Sequence, residues 1–358
     1  MDLTERVLDL CSYLTVSGEE GPLTDALQQR YRDEQIIRLG DSLVVGAPDG
    51  RPLVLLVGHL DVVPPTLESD RKPRLEERDG AAVIVGRGTS DMKSGVAVAQ
   101  ALFEDAELRA TSPYCLVAVF YAREEVAAED NELGPVLEQV AWLREAQLAI
   151  VLEGTDLEVQ VGCLGGIHAE LTVEGSAAHS ARPWQGDNAV TKAWPLLREL
   201  GEIAPREVVV EGVTYRDVVT VTQAWTRNVR NVVPGRFTIN VNYRFAPDRT
   251  MEQAEAELAA MVGDRARIEI VDRALPAAPQ LNEPLVRAMV DAIGAPVTAK
   301  QAWTDVARLI DVGVPALNYG PGVTAQAHQA GEYVTVANLE RAHEVLRAFL
   351  SGGVTPSS

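Results

Sequence analysis

Two motifs combine groups that bind cations with groups that move protons. In "LLVGHLDVVPP" an apolar run stops at His59, and Asp61 follows two residues later. In "LVAVFYAREE" a second apolar run ends in the adjacent pair Glu124 and Glu125. Asp91 in "GRGTSDMKSG", Glu153 in "LAIVLEGTD" and His328 in "TAQAHQAGEY" also follow apolar stretches. Imidazole mixed with hard oxygen donors suits Zn²⁺, Co²⁺ or Mn²⁺ better than a thiolate-selective metal. Two such cations, held ~3.5–4 Å apart, need a shared carboxylate. Three carboxylates fall one charge short of two divalent cations, and one hydroxide closes the gap. Adjacent side chains usually point apart, so Glu124 and Glu125 are not expected to serve one ion equally. One therefore binds metal while the other faces the water as a base. Asp61 shares His59's side and is placed to accept its free ring N–H.

Taken singly, each residue has a plainer reading. Asp91 before a Gly-containing helix start could be a cap, Glu124-Glu125 a solvated pair, Glu153 a turn residue, and His328 a loop histidine. What gathers them is position, since ligands of open α/β sheets bind beyond the C-terminal ends of the strands.

The elements that must present these groups are legible as patterns. "PLVLLVG", "YCLVAVFYA" and "LAIVL" are apolar throughout, as expected of strands covered on both faces. They alternate with helix-compatible stretches such as "GVAVAQALFEDAEL", which predicts an α/β layered domain with a mostly parallel sheet. After Gly166 the style changes. "IHAELTVEG", "DVVTVTQAWT" and "RFTINVNYRF" alternate, "NAVTKAWPLLREL" and "TMEQAEAELAAMV" are helical, and "ARIEIV" closes the series. The order β-α-β-β-α-β is a ferredoxin-like plan, predicting a four-stranded antiparallel sheet with both helices on one face. The expected organisation is a catalytic domain over 1–165, an inserted domain over 166–275, and the rest of the catalytic domain over 276–358.

The 358 residues carry a formal net charge of −20, which argues against a nucleic-acid groove built from clustered Lys and Arg. The three cysteines are scattered, and "MDLTERVLDLCSYL" is acidic and amphipathic rather than a signal peptide. No apolar run reaches the ~18 residues of a membrane span. The expectation is a cytoplasmic protein with no nucleic-acid or membrane partner.

The motifs, with "GCLGG", "AHSARPWQGDNA", "NVVPGRFTINVNYRFAPDR", "WTDVARL" and "NYGPG", resemble the M20 family of dinuclear zinc aminoacylases and peptidases, and look closest to its actinobacterial diaminopimelate-pathway desuccinylases. The resemblance implies two Zn²⁺, or Co²⁺, per subunit. His59 and Glu153 would hold one, Glu125 and His328 the other, and Asp91 would bridge. Glu124 would be the general base and Asp61 the orienting acid. His179 would reach the active site of a partner in a homodimer formed through the insert, which would also act as a lid. Asn231, Arg244, Arg182, Thr304 and Gly322 would meet a small substrate with several carboxylates. The implied reaction is hydrolysis of N-succinyl-L,L-2,6-diaminopimelate to succinate and L,L-diaminopimelate, in lysine and diaminopimelate biosynthesis. The alternatives are acetylornithine deacetylation, another acyl-amino-acid or small-peptide hydrolysis, and a non-catalytic metal-binding protein.

Overall fold

The computed structural model describes residues 1–352, so 353–358 of the expected closing segment lie outside the described residues. The chain divides into two compact units. One comprises Met1–Gly162, Pro279–Ala299 and the chain from Thr304 onward; the other comprises Cys163–Ala278 and Lys300–Trp303.

The first unit is built on an eight-stranded sheet. Its order is Ile36–Leu39, Ser42–Val45, Cys115–Tyr121, Leu53–His59, Leu148–Val151, Ala316–Asn318, Val159–Val161 and Val297–Ala299. Leu53–His59 lies parallel to both Cys115–Tyr121 and Leu148–Val151, and the latter lies parallel to Ala316–Asn318. Every residue of these four central strands is buried, which is why their sequences are apolar without alternation. Helix Lys93–Glu104 packs on Leu53–His59 and Cys115–Tyr121 and is buried on most of its surface. Gly95, in its first turn, admits the chain that follows Leu148–Val151: a Cβ there would collide with the carbonyl of Leu152.

A separate three-stranded antiparallel sheet, Tyr333–Thr335, Ala81–Val85 and Arg74–Arg78, completes this unit. This corrects one expectation. The short run ending at Val85 is not a strand of the main sheet, so Asp91 does not arrive from a parallel strand end. It stands in the connection from Ala81–Val85 to helix Lys93–Glu104, and its peptide bond to Met92 is cis.

In the second unit the antiparallel sheet has five strands rather than four. The order is Arg206–Val210, Val213–Trp225, Arg236–Phe245, Gly165–Glu174 and Arg267–Ala274. The added edge strand forms a hairpin with Val213–Trp225 through Glu211 and Gly212, both at positive φ. Helices Ala189–Glu202 and Met251–Val262 cover one sheet face. Ala193, Leu196, Leu200, Ala254 and Leu258 meet Ile167, Ala169, Leu171, Ile239 and Val241 in one buried cluster. Alternate residues face away, which explains the period-two pattern.

Lys300–Trp303 joins this unit by specific bonds. The Gln301 side chain exchanges hydrogen bonds with the Arg216 main chain, at 3.2 and 2.5 Å, and Trp303 Nε1 donates to the Leu275 carbonyl at 3.2 Å. A contiguous insert read from sequence could not include a tetrapeptide from beyond its end. No helix among the described residues is long and apolar enough to cross a membrane.

Candidate metal centre

His59 is the last residue of its strand, Glu124 and Glu125 follow Cys115–Tyr121, and Glu153 follows Leu148–Val151. Parallel neighbours end on the same edge, so four of the expected groups, from three strand ends, meet there by register alone. Asp91 and His328 enter on loops. His59 Nε2 lies 3.2 Å from Asp91 Oδ1 and 3.9 Å from Glu153 Oε1. His328 Nε2 lies 3.5 Å from Asp91 Oδ2 and 3.0 Å from Glu125 Oε2. One Asp91 oxygen thus faces His59 while the other faces His328. Donors ~2.0–2.2 Å from a tetrahedral zinc stand roughly 3.3–3.6 Å apart, and the observed spacings bracket that range. His59, Asp91 and Glu125 can present ligand atoms all within 4.8 Å of one another.

Electrostatics point the same way. Burial disfavours a protonated His59, but the Asp61 and Asp91 carboxylates outweigh it and raise the ring's pKa well above its usual value. Hydrogen bonds to Asp91 and Glu125 lift His328 to about 10. Burial acts to raise Asp91, yet His328 and His59 hold it below the usual carboxylate range. Protons on the imidazoles and divalent cations are alternative ways to neutralise the same carboxylates, and a ligating imidazole must give up its proton. The donor set fits divalent cations.

Glu124 differs from Glu125. Burial, opposed by His59 and reinforced by Glu125 and Glu153, pushes the Glu124 carboxyl well above its ordinary pKa. Glu125 instead bonds His328. The pair lies in a turn rather than on an extended strand, with Glu125 bonded to His328 and Glu124 among the buried acids.

Asp61 does more than orient an imidazole. His59 Nδ1 lies 3.1 Å from the Asp61 main-chain carbonyl and 3.5 Å from Asp61 Oδ1. The carboxylate itself accepts the main-chain N–H of Glu124 and of Glu125, each at 3.0 Å, and the Ser17 hydroxyl at 2.7 Å. Burial acts against it, but His59 and these donors bring its pKa down to about 2. The carbonyl fixes the ring, and the carboxylate fixes the Glu124–Glu125 turn.

Several buried groups were not singled out from the sequence. Glu20 accepts the Arg123 N–H at 3.1 Å, the residue before Glu124, where φ is +63°. Tyr121 stands edge-on to His59 and donates to Asp305 Oδ2 at 2.7 Å. Glu332, in "HQAGEY", bonds the loop that carries Asp91. A lone acid among glycines or beside a second acid carries no local signal; the partners decide.

Two expected substrate contacts have other work in this structure. Thr304 is buried and its hydroxyl donates to Asn318 Oδ1 at 3.0 Å. Gly322 is where loops press together: a Cβ there would strike the Ser90 carbonyl and come within 2.9 Å of Gly154 Cα. Thr304 therefore braces the strand Ala316–Asn318, and Gly322 admits close packing beside Asp91 and Glu153.

His179, Arg182, Asn231 and Arg244 belong to the second unit. His179 pairs with Val232 in a two-residue ladder, and the Ser180 N–H donates to the Asn231 carbonyl at 2.9 Å. His179 Nδ1 accepts the Ala181 N–H at 3.1 Å, and the His179 carbonyl accepts the Arg182 N–H at 2.8 Å. These three residues form one exposed group. Arg244 stands apart on strand Arg236–Phe245, where burial pulls its guanidinium pKa down.

Residues 55–352 match the model of peptidase family M20/M25/M40. The chain belongs to this family. Among M20-like relatives, a Mycobacterium tuberculosis protein named for succinyl-diaminopimelate desuccinylase activity is 36% identical, covering 98% of each chain. Corynebacterium glutamicum succinyl-diaminopimelate desuccinylase is 32% identical over 98% of this chain and 95% of its own. Myxococcus xanthus acetylornithine deacetylase is 30% identical over 90% and 86%. Two solved structures share the M20 fold. A metallo-carboxypeptidase from Sulfolobus solfataricus superposes with a TM-score of 0.78 at 15% identity, covering 98% of this chain and 99% of that one. A Bacillus subtilis dinuclear metal-binding M20 peptidase gives 0.67 at 15% identity, covering 98% and 96%.

Proposed function

We propose that the chain is a metal-dependent amidohydrolase that converts N-succinyl-L,L-2,6-diaminopimelate to succinate and L,L-diaminopimelate. The observation that carries the reading is the division of Asp91, with one oxygen toward His59, whose ring also nears Glu153, and the other toward His328, whose ring also meets Glu125. In this reading His59 and Glu153 hold one zinc, Glu125 and His328 hold the second, Asp91 serves both, and Co²⁺ can substitute. When bound, such cations polarise a carbonyl and acidify water. The identity of the relatives supports the succinyl substrate over other acyl amino acids.

Glu124 takes the proton from the attacking water and passes it to the leaving amine. Burial holds its carboxyl above the usual carboxylate range, and its place beside Glu125 puts it next to the metal ligands. Asp61 keeps Glu124 and Glu125 in place through their amides. His179 acts across a homodimer formed through the second unit, donating to the developing oxyanion. Arg244, Arg182 and Asn231 recognise substrate carboxylates, for which guanidinium geometry is matched. The expected setting is the cytoplasm.

The test is hydrolysis by purified, metal-loaded protein of N-succinyl-diaminopimelate, acetylornithine and small peptides, with metal content measured on the same sample. The expected result is two metals per chain and a kcat/KM for the succinyl substrate at least ~100-fold above the others, a discrimination of about 2.7 kcal/mol. Turnover of acetylornithine without turnover of the succinyl compound would assign the alternative deacetylase activity.

A further inference from the structure

Glu332 has no assigned part in the reaction, yet it is fully buried and both its oxygens are filled by donors from the Asp91 loop. Oε1 accepts the N–H of Ser90 at 2.8 Å and of Asp91 at 3.0 Å. Oε2 accepts the N–H of Gly88 at 3.1 Å and Arg87 Nη1 at 2.8 Å. Its own carbonyl accepts the Gly86 N–H at 2.9 Å. The loop that carries Asp91 is thus wrapped around one carboxylate, and that carboxylate sits four residues after His328.

The neighbours tie the same two loops. The Ser90 hydroxyl donates to the Tyr333 carbonyl at 2.7 Å and accepts the Val323 N–H at 3.0 Å. Tyr333–Thr335 then pairs with Ala81–Val85, the strand that leads into the Asp91 loop.

We infer that Glu332 is a positioning residue for the metal centre: it locks the Asp91 loop to the His328 loop, so that Asp91 and His328 are preset for the same cation. The inference rests on the metal-centre reading above and adds to it. Its chemical requirement is specific. Each oxygen faces two N–H donors, so only a full carboxylate satisfies the cradle. A glutamine would turn an NH₂ toward two donors whichever way its amide is placed. Groups that orient metal ligands typically change metal affinity ~10–100-fold when removed.

The experiment compares wild type, Glu332→Gln and Arg87→Lys. Folding is checked by circular dichroism and thermal midpoint. Affinity for Zn²⁺ is measured by competition with a chromophoric chelator, and ligand geometry by the visible spectrum of the Co²⁺-loaded protein. Kinetics on the succinyl substrate are read alongside. Glu332→Gln is expected to bind Zn²⁺ ~10–100-fold more weakly, with an altered Co²⁺ spectrum and a lower kcat at little-changed KM. Arg87→Lys keeps the charge but loses the planar fork, so it should fall between the two. Wild-type affinity and spectrum in folded Glu332→Gln would overturn the inference. If that variant does not fold, wild-type affinity in Arg87→Lys would do so. Failure of the wild-type chain itself to bind Zn²⁺ would count against the metal-centre reading instead, which keeps the two failures distinct.

Discussion

The Glu124–Glu125 turn and the His179–Asn231 loops are both short irregular segments that carry candidate reacting groups, yet they are held differently. In the first, the amides of Arg123, Glu124 and Glu125 all end on the buried carboxylates of Glu20 and Asp61. In the second, His179 and Asn231 are exposed, and order comes from a two-residue ladder and a ring-to-amide bond. Hydrogen bonds to charged groups contribute ~1.5–3 kcal/mol each, against ~0.5–1.5 kcal/mol for neutral ones. The first segment is therefore much the stiffer. Groups that share cations must be fixed to within a fraction of an ångström, whereas groups that grip a flexible substrate can settle as it binds.

The largest effect expected from this contrast is at Glu124. Glu124→Gln should lower kcat ~10³-fold or more while elemental analysis still finds the wild-type metal content. Loss of metal together with activity would place Glu124 among the ligands and erase the division within the turn. His179→Ala should lower kcat ~10²–10³-fold, again with metal unchanged. Mixing it with Glu124→Gln under conditions that exchange subunits should restore part of the activity, and a wild-type kcat in His179→Ala would remove the exposed loops from the chemistry. Asp61→Asn leaves one acceptor where two amides were held, so metal affinity should fall ~10–100-fold. Asn231→Ala, in the exposed region, should leave that affinity unaltered; an equal loss in both would make the comparison empty.

Arg244→Lys keeps the charge but not the fork, and should raise KM ~10-fold with kcat little changed. A fall in kcat alone would move Arg244 from binding to chemistry. The smallest effect lies outside both regions, at Glu104. Burial opposes its ionisation, but Arg30 and Arg6 bring its pKa down to about 2 from 4.5. Its contribution to stability is complete above pH ~4.5 and is lost as the pH falls toward 2. Glu104→Gln should therefore flatten the acid side of the stability curve in that window, measured by urea unfolding, and leave metal affinity as it was.

The centre of the main sheet was legible because strands such as Leu53–His59, Cys115–Tyr121 and Leu148–Val151 are apolar on both faces, a composition that few other elements tolerate. His59, Glu124, Glu125 and Glu153 were legible for a related reason: a charged or imidazole group directly after such a run must sit at a sheet edge. The fifth strand, Arg206–Val210, was missed because "REVVV" is short and has an exposed, partly alternating pattern. Lys300–Trp303 was assigned by chain continuity, while its hydrogen bonds run to residues 85 and 28 positions earlier. Thr304 and Gly322 drew attention by resemblance, but their neighbours, Asn318, Ser90 and Gly154, give them structural work.

By itself the sequence determined the residue types, the two strand styles and the edge on which most of the chemistry collects, because burial and period are local properties of a chain. Only the tertiary structure decided which oxygen of Asp91 faces which histidine, that Asp61 holds amides as well as a ring, and that Glu332 closes one loop upon another. Those are pairings between groups tens to hundreds of residues apart. Their energies depend on burial and direction, and neither exists until the chain is folded.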